Sequence, residues 1–259
     1  MLFSYLNKIS LFSITISLLL TACGDSSIKG SGNIKRETRD VSGFSKIVVS
    51  SVIDLHVAQT GVESLVIEAD DNILPLITGT VSGDTLTLDT KPNANFSNVT
   101  MNAKLTVKDL TSFHLKEVAS ATVANLKTSK LEVRTKGAGK ATFSNLTIPN
   151  LEIRIGGATK ATFSELVTSK LKVEVGNAGK VILSGTAEQQ NIDIFGAGKY
   201  DALDLNSKQL KANVSGTGKA LVNVTDKLDA TVSGSGSVEY KGNPKISQSI
   251  SDAGVLKRK

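Results

Sequence analysis

The 259-residue chain contains one cysteine, Cys23, no tryptophan and two histidines, and aromatic residues make up 4% of it. With a single thiol no intrachain disulfide can form. His56 and His114 lie 58 positions apart, and no His/Cys cluster has zinc spacing. Few rings argue against a sugar-stacking lectin cleft or a base-stacking nucleic-acid platform. The excess of charge is also small. Thirty basic against 24 acidic residues give +6, which permits attraction to anionic envelope polymers but falls short of a nucleic-acid binder. No apolar run reaches the roughly 20 residues of a membrane-spanning helix.

What is present begins with a leader. Lys8 supplies a small positive region and Ile9 to Leu20 an apolar stretch, ending in Leu20-Thr21-Ala22-Cys23. Residues 1–22 read as a signal peptide, and the last four residues resemble a bacterial lipobox. Cys23 is then the lipid-attachment residue, acylated with palmitate-type chains. The alternative is a chance cysteine beside an ordinary cleavage site. Two or three acyl chains anchor stably where one is marginal. Residues 23–32, Cys23-Gly24-Asp25-Ser26-Ser27-Ile28-Lys29-Gly30-Ser31-Gly32, read as a flexible tether. By analogy with proteobacterial sorting, Gly24 after the cysteine points to the outer membrane.

A short phrase then recurs. Gly137-Ala138-Gly139-Lys140, Gly157-Ala158-Thr159-Lys160, Asn177-Ala178-Gly179-Lys180, Gly196-Ala197-Gly198-Lys199 and Gly216-Thr217-Gly218-Lys219 follow one another at steps of 20, 20, 19 and 20 residues. A period near 20 marks a solenoid, each repeat a rung buried by its neighbours. The segment before each phrase alternates with period two. Val133, Ile153, Val173, Ile192, Ala212 and Ala230 form one inward column, and Thr135, Ile155, Val175, Ile194, Val214 and Val232 the next. The position between them reads Arg134, Arg154, Glu174, Asp193, Asn213, Thr231 and faces water. After each turn comes a second short strand, in which Phe143 and Phe163 should stack. The fold expected is all-β, a parallel single-stranded β-solenoid with rungs of 20 residues, its glycines serving where φ is positive or a Cβ does not fit. Residues 33–259 read as one β-solenoid domain, of which 33–103 are a β-rich lead-in, with Lys91 to Asn98 a loop and Asp70-Asp71-Asn72-Ile73-Leu74-Pro75 a capped helical turn that Pro75 ends. Residues 104–259 read as the rungs, their core narrowing at Ala212 and Ala230, with Val255 to Lys259 laid as charge over the last one.

Chemistry is sparse. Gly-Ala-Gly-Lys is not a phosphate loop, which needs Gly-x-x-x-x-Gly-Lys-Ser/Thr opening a helix. Lys140, Lys160, Lys180, Lys199 and Lys219 share one register, so a solenoid would align them. Such a column either keeps the turns soluble or docks an acidic glycan or lipopolysaccharide. Asp193, Asp201 and Asp204 lack a repeat-defined reason to converge, and Asp70-Asp71-Asn72 lacks the ligand spacing of a calcium loop. No catalytic residue, metal or cofactor is expected.

Two kinds of segment carry a family resemblance. One is Gly30-Ser31-Gly32-Asn33-Ile34 through Arg39-Asp40-Val41-Ser42-Gly43-Phe44-Ser45-Lys46-Ile47, with Asp54-Leu55-His56-Val57 and Glu68-Ala69-Asp70-Asp71-Asn72-Ile73-Leu74. The other is the series of Gly-x-Gly turns closed by Lys245-Ile246-Ser247-Gln248-Ser249-Ile250. Together they resemble the auto-transporter adhesin head GIN-domain family of bacterial envelope proteins. That resemblance implies a pectin-lyase-like β-helix without catalytic residues, used for adhesion and often found behind a lipoprotein signal in Bacteroidota. Ala119 and Thr159 replace turn glycines, which implies looser turns on those rungs. The functional readings are a lipid-anchored binding module, a self-associating structural envelope protein, and a polysaccharide lyase or hydrolase.

Overall fold

The computed structural model describes residues 27–91 and 94–259; the expected signal peptide and Cys23 lie outside them. The described chain is all β apart from one 3-10 turn at Leu74–Leu76, and its strands wind into a β-solenoid. Each level has one strand before the glycine turn and one after it. Before the turn, Lys130–Thr135 stacks in parallel on Asn150–Ile155, pairing Val133 with Ile153 and Thr135 with Ile155. The same column continues through Val173, Ile192, Ala212 and Ala230. After the turn, Lys140–Thr147 pairs with Lys160–Val175, setting Ala141 on Ala161 and Phe143 on Phe163.

The period-two alternation sends each of these side chains inward, where all are buried. A lone rung would leave both its edges open, so its apolar side chains gain burial only through the neighbours. Phe143 and Phe163 stack at 4.6 Å with rings 7° apart. Phe113 meets Phe143 edge-on at 5.7 Å. Such pairs add about 0.5–1.5 kcal/mol each beyond burial.

Two glycines of one turn serve different ends. Gly196 has φ +73°, while a Cβ on Gly198 would stand 2.9 Å from the Val175 carbonyl oxygen. Thr159 does not loosen its turn as expected. It is buried, and its hydroxyl donates to the Gly137 carbonyl at 3.1 Å, tying two levels together. Ala119 is likewise buried. A second bend falls inside the post-turn strand, where Asn125, Asn145 and Glu165 take φ of 57°, 54° and 54°. Asn145 Nδ2 donates to Asn125 Oδ1 at 2.6 Å, so two of the three bends share a side-chain bond.

The division expected at residues 103 and 104 falls within the strand Met101–Val107. The solenoid already includes the lead-in. Lys46–Val49 and Asp54–Gln59 form a complete level, stacked on Ser112–Leu115 and Ser120–Lys127 on one side. On the other side lie Thr85–Thr90 and Met101–Val107. The order of levels in space therefore differs from their order in the chain. The turn of this level is Ser50-Ser51-Val52-Ile53, which has no glycine phrase to announce it; Ser51 is instead held by Thr90 at 3.0 Å between hydroxyls.

Beyond the Thr85–Val107 level the chain reverses. Ser64–Asp70 runs antiparallel to Met101–Val107, Ile34–Arg39 antiparallel to Ser64–Asp70, and Ile77–Ser82 antiparallel to Thr85–Thr90. Pro75 sits inside the 3-10 turn at its start rather than ending it, and the turn has no side-chain cap. Asp70 is buried and accepts from the Gly32 and Thr100 amides, each at 2.7 Å. That contact shortens the expected tether. Ile28–Lys29 pairs with Phe96–Ser97, a short strand within the loop expected at Lys91 to Asn98. Ser31 Oγ donates to Asp71 at 2.6 Å.

At the far end, Lys245–Ile250 pairs with Lys219–Val232 and Val255–Arg258 with Ser237–Lys241. The tail expected to lie over the last rung is its final strand. The core does narrow here, with Ala212 and Ala230 buried.

Candidate functional site

The post-turn strands place the five lysines of the repeat phrase in one column. Lys140 pairs with Lys160, Lys160 with Lys180, Lys180 with Lys199, and Lys199 with Lys219. At a rung spacing of about 4.8 Å, neighbouring ammonium groups in water repel by roughly 0.9 kcal/mol before screening. Only Lys219 has an ion-pair partner among the described residues, Glu239 at 2.7 Å, which Lys257 shares at 3.2 Å.

The pre-turn face is built differently. Outward positions Glu132, Glu152 and Lys172 stack in register, as do Arg134, Arg154 and Glu174. Their opposite charges interlock. Arg154 reaches Glu132 at 2.8 Å, Glu152 at 2.6 Å and Glu174 at 3.2 Å. Lys172 reaches Glu152 at 3.1 Å and Glu174 at 2.7 Å, and Arg134 pairs with Glu132. The Lys172 ammonium holds the Glu174 carboxyl below its ordinary range, with Arg154 adding to it. Reciprocally, Glu174 and Glu152 raise Lys172. Exposed ion pairs are individually weak, but a network fixes the side chains relative to one another.

Glu132, Arg134, Glu152 and Lys172 of this network line a groove of about 820 Å³ that crosses successive rungs, bordered by Lys46, Lys130, Lys170 and Asn150 and reaching Gln189. A smaller depression of about 200 Å³ continues it past Gln189 to Gln209 and Lys227. The arginine and acidic column was visible in the alternation. The groove was not, nor was the part taken by Glu132, Glu152 and Lys172, although the same outward parity applied two positions earlier in each rung could have found those three.

Among the described residues, the histidines and the candidate carboxylates fall on several different elements. Ser112 Oγ lies 3.2 Å from His114 Nε2 and Glu132 Oε2 4.0 Å from the same nitrogen. A nucleophile relay needs serine and carboxylate on opposite ring nitrogens. Burial and the Arg134 charge push the His114 ring below its ordinary pKa. His56 stands on a post-turn strand beside Asp54 at 3.9 Å. Asp193 accepts from Asn213 on the pre-turn face at 2.7 Å, whereas Asp201 and Asp204 lie on the post-turn part of the strand Lys199–Val214. Asp70 and Asp71 are occupied in holding residues 31–33. Among the described residues no group of three or more His, Cys, Asp or Glu could hold a metal ion.

Comparison with known proteins places this geometry. No curated protein matches the chain. The structure of a putative lipid binding protein from Parabacteroides distasonis is 23% identical, covers 90% of this chain and 99% of its own, and superposes with a TM-score of 0.84. A putative adhesin from Parabacteroides merdae is 22% identical over 90% of this chain and 98% of its own, with a TM-score of 0.82. A putative adhesin from Bacteroides fragilis is 28% identical over 90% and 99%, with a TM-score of 0.69. These likenesses establish the fold. A family model described as putative auto-transporter adhesin, head GIN domain, matches residues 43–244, from the turn before Lys46–Val49 to the approach to the last rung, and the chain belongs to that family.

Proposed function

We propose that this protein is a lipid-anchored, non-enzymatic binding module of the bacterial cell envelope, held to the outer membrane by acyl chains on Cys23. The observation that carries this reading is the stack of in-register basic and polar columns, without a converged acid–base pair among the described residues, in a chain of an adhesin-described family. A rigid array of repeated weak contacts suits binding a polymer, whereas hydrolysis needs two groups held at one point. The Parabacteroides distasonis relative is described as lipid binding. In this chain lipid enters as the acyl chains of Cys23; the groove is lined by charged and amide side chains together with Leu131, Leu151 and Leu171. An acidic glycan or lipopolysaccharide is the partner such a surface fits.

Protease shaving of intact cells tests the role. Cleavage of the protein on cells whose periplasmic proteins survive supports surface adhesion, and full protection defeats it. Replacing Cys23 with Ser should abolish incorporation of a palmitate analogue and release the chain from the membrane fraction. A second reading, self-association, is favoured by the open last rung, where Ile246, Ile250 and Val255 are exposed. Sedimentation of the unlipidated chain as a strict monomer at high concentration would remove it.

A further inference from the structure

We propose that the pre-turn groove, rather than the lysine column of the repeat phrase, is the polymer site, and that it takes an extended carboxylate-bearing polysaccharide lying along the solenoid axis. The proposal rests on the binding-module reading and adds the place and the ligand class.

The first argument is geometric. Lys130, Asn150, Lys170, Gln189, Gln209 and Lys227 pair in one continuous register and border the groove and its continuation. All six are exposed. A chain laid along the axis therefore meets an equivalent side chain every 4.8 Å or so, close to the length one pyranose ring adds to an extended glycan. Successive sugars can thus make the same contact at successive rungs. A compact ligand could use only one or two of them.

The second argument is chemical. Every member of that column is an ammonium or a carboxamide; Lys227 is paired with Asp229 at 2.7 Å and Asn150 donates to the Ser129 carbonyl at 3.2 Å, and Lys130, Lys170, Gln189 and Gln209 supply the remaining donors. No aromatic ring of Phe, Tyr or Trp lines the groove, which removes the stacking on which neutral-sugar sites depend. Recognition then falls to charge and hydrogen bonds around the apolar strip of Leu131, Leu151 and Leu171.

The third argument is electrostatic. The carboxylates of the groove, Glu132 and Glu152, are already engaged by Arg134, Arg154 and Lys172. Lys46 is paired with Asp84 at 3.0 Å. Lys130 and Lys170 have no ion-pair partner among the described residues, so the uncompensated charge in the groove is positive. The interlocked network behind them keeps the floor from rearranging when an anion arrives. The column of Lys140, Lys160, Lys180, Lys199 and Lys219 is more basic, yet it borders neither the groove nor its continuation. Charge without a wall does not orient a polymer.

The test uses the detergent-solubilised full chain, with polygalacturonate as the carboxylated probe, dextran as the neutral one, and galacturonic acid as the monomer. K130Q/K170Q is the groove variant, and Gln already occupies that column at 189 and 209. Lys→Gln at all five positions of the other column is the control. Isothermal titration should show polygalacturonate binding, no comparable binding of dextran or monomer, and a loss of about tenfold or more in K130Q/K170Q against less than about threefold in the control. Circular dichroism should show both variants folded. Equal affinity of K130Q/K170Q and parent, or a loss carried by the five-lysine control, overturns the proposal. So does the absence of polygalacturonate binding, in which case the binding-module reading is judged separately by cell shaving and stands if the protein is surface-exposed.

Discussion

The two ends of the solenoid meet solvent in opposite ways. At the first end the chain reverses direction, and the outermost strand, Ile34–Arg39, reads Ile-Lys-Arg-Glu-Thr-Arg. Arg36 pairs with Glu68 at 3.1 Å and Arg39 with Glu37 at 2.6 Å. A charged, antiparallel edge is a poor template for another strand. The last end has no such reversal. Lys245–Ile250 is one more parallel strand, exposed along its whole length, with Ile246 and Ile250 at 39% and 41% exposure. The difference separates two ways of stopping a stack. One is an active cap; the other is a rung left open, with Ile246, Ile250 and Val255 exposed. A filament needs two complementary ends, so a molecule with one open end can close only into a pair.

Variants at the two ends can be scaled against the middle. Phe143→Ala, which removes a ring held between Phe113 and Phe163, should cost about 3–5 kcal/mol in denaturant unfolding. Asp70→Ala should cost about 2 kcal/mol, because it leaves the Gly32 and Thr100 amides without an acceptor. The matching change at the open end, Ile250→Ala, should cost less than half of that. Equal effects would mean that the capped end is no more strongly tied than the open one. Glu165→Asn should stabilise by up to roughly 1 kcal/mol, since asparagine tolerates the left-handed region better and extends the Asn125–Asn145 bond to a third level; a loss would show that Glu165 has an unseen partner. I246K/I250K should change stability by no more than about 0.5 kcal/mol while abolishing any dimer seen in sedimentation. A dimer that survives both lysines does not form through the open rung.

The ionic network of the pre-turn face gives the smallest effect, and its sign is fixed by the two shifts. Glu174 is depressed from 4.5, so its contribution is present above that value and is lost as pH falls through the lower folded-state value. Lys172 is raised from 10.5, so its contribution is present below that value and is lost as pH rises through the higher one. Unfolding midpoints of the parent and Glu174→Gln should therefore differ least in strong acid. A difference that persists unchanged there would assign the effect to packing rather than charge.

Sequence periodicity went far where the repeat phrase is intact. The inward columns, the Phe143–Phe163 stack and the lysine register all follow from a 20-residue step combined with period-two alternation. Legibility failed where a level lacks the phrase. Nothing local in Lys46–Val49 says that its partners are Thr85–Thr90 and Ser112–Leu115, because parallel stacking is chosen by distant register. It failed again inside the core. Gln190 stands between Leu171 and Leu210 in an apolar column, and its Oε1 accepts from the Tyr200 hydroxyl at 2.5 Å. Both side chains are buried, so the phenol depends on Gln190 for its acceptor while Gln190 Nε2 has no partner among the described residues, and a linear reading sees each as a lapse in pattern. Burial drives the Tyr200 phenol far above its ordinary pKa. The groove was hidden for another reason: alternation says which side chains point outward and nothing about whether that surface is concave.

The strand pairing of Ile28–Lys29 with Phe96–Ser97 gives the molecule a compass. Ser27, where the described chain begins, lies beside the reversed strands, so whatever is joined through the preceding residues is joined at that pole. The axis runs away from that pole, with the groove along its flank and the unstacked rung at the opposite one. An anchor there would serve as the foot of a mast whose free tip still has room for another strand.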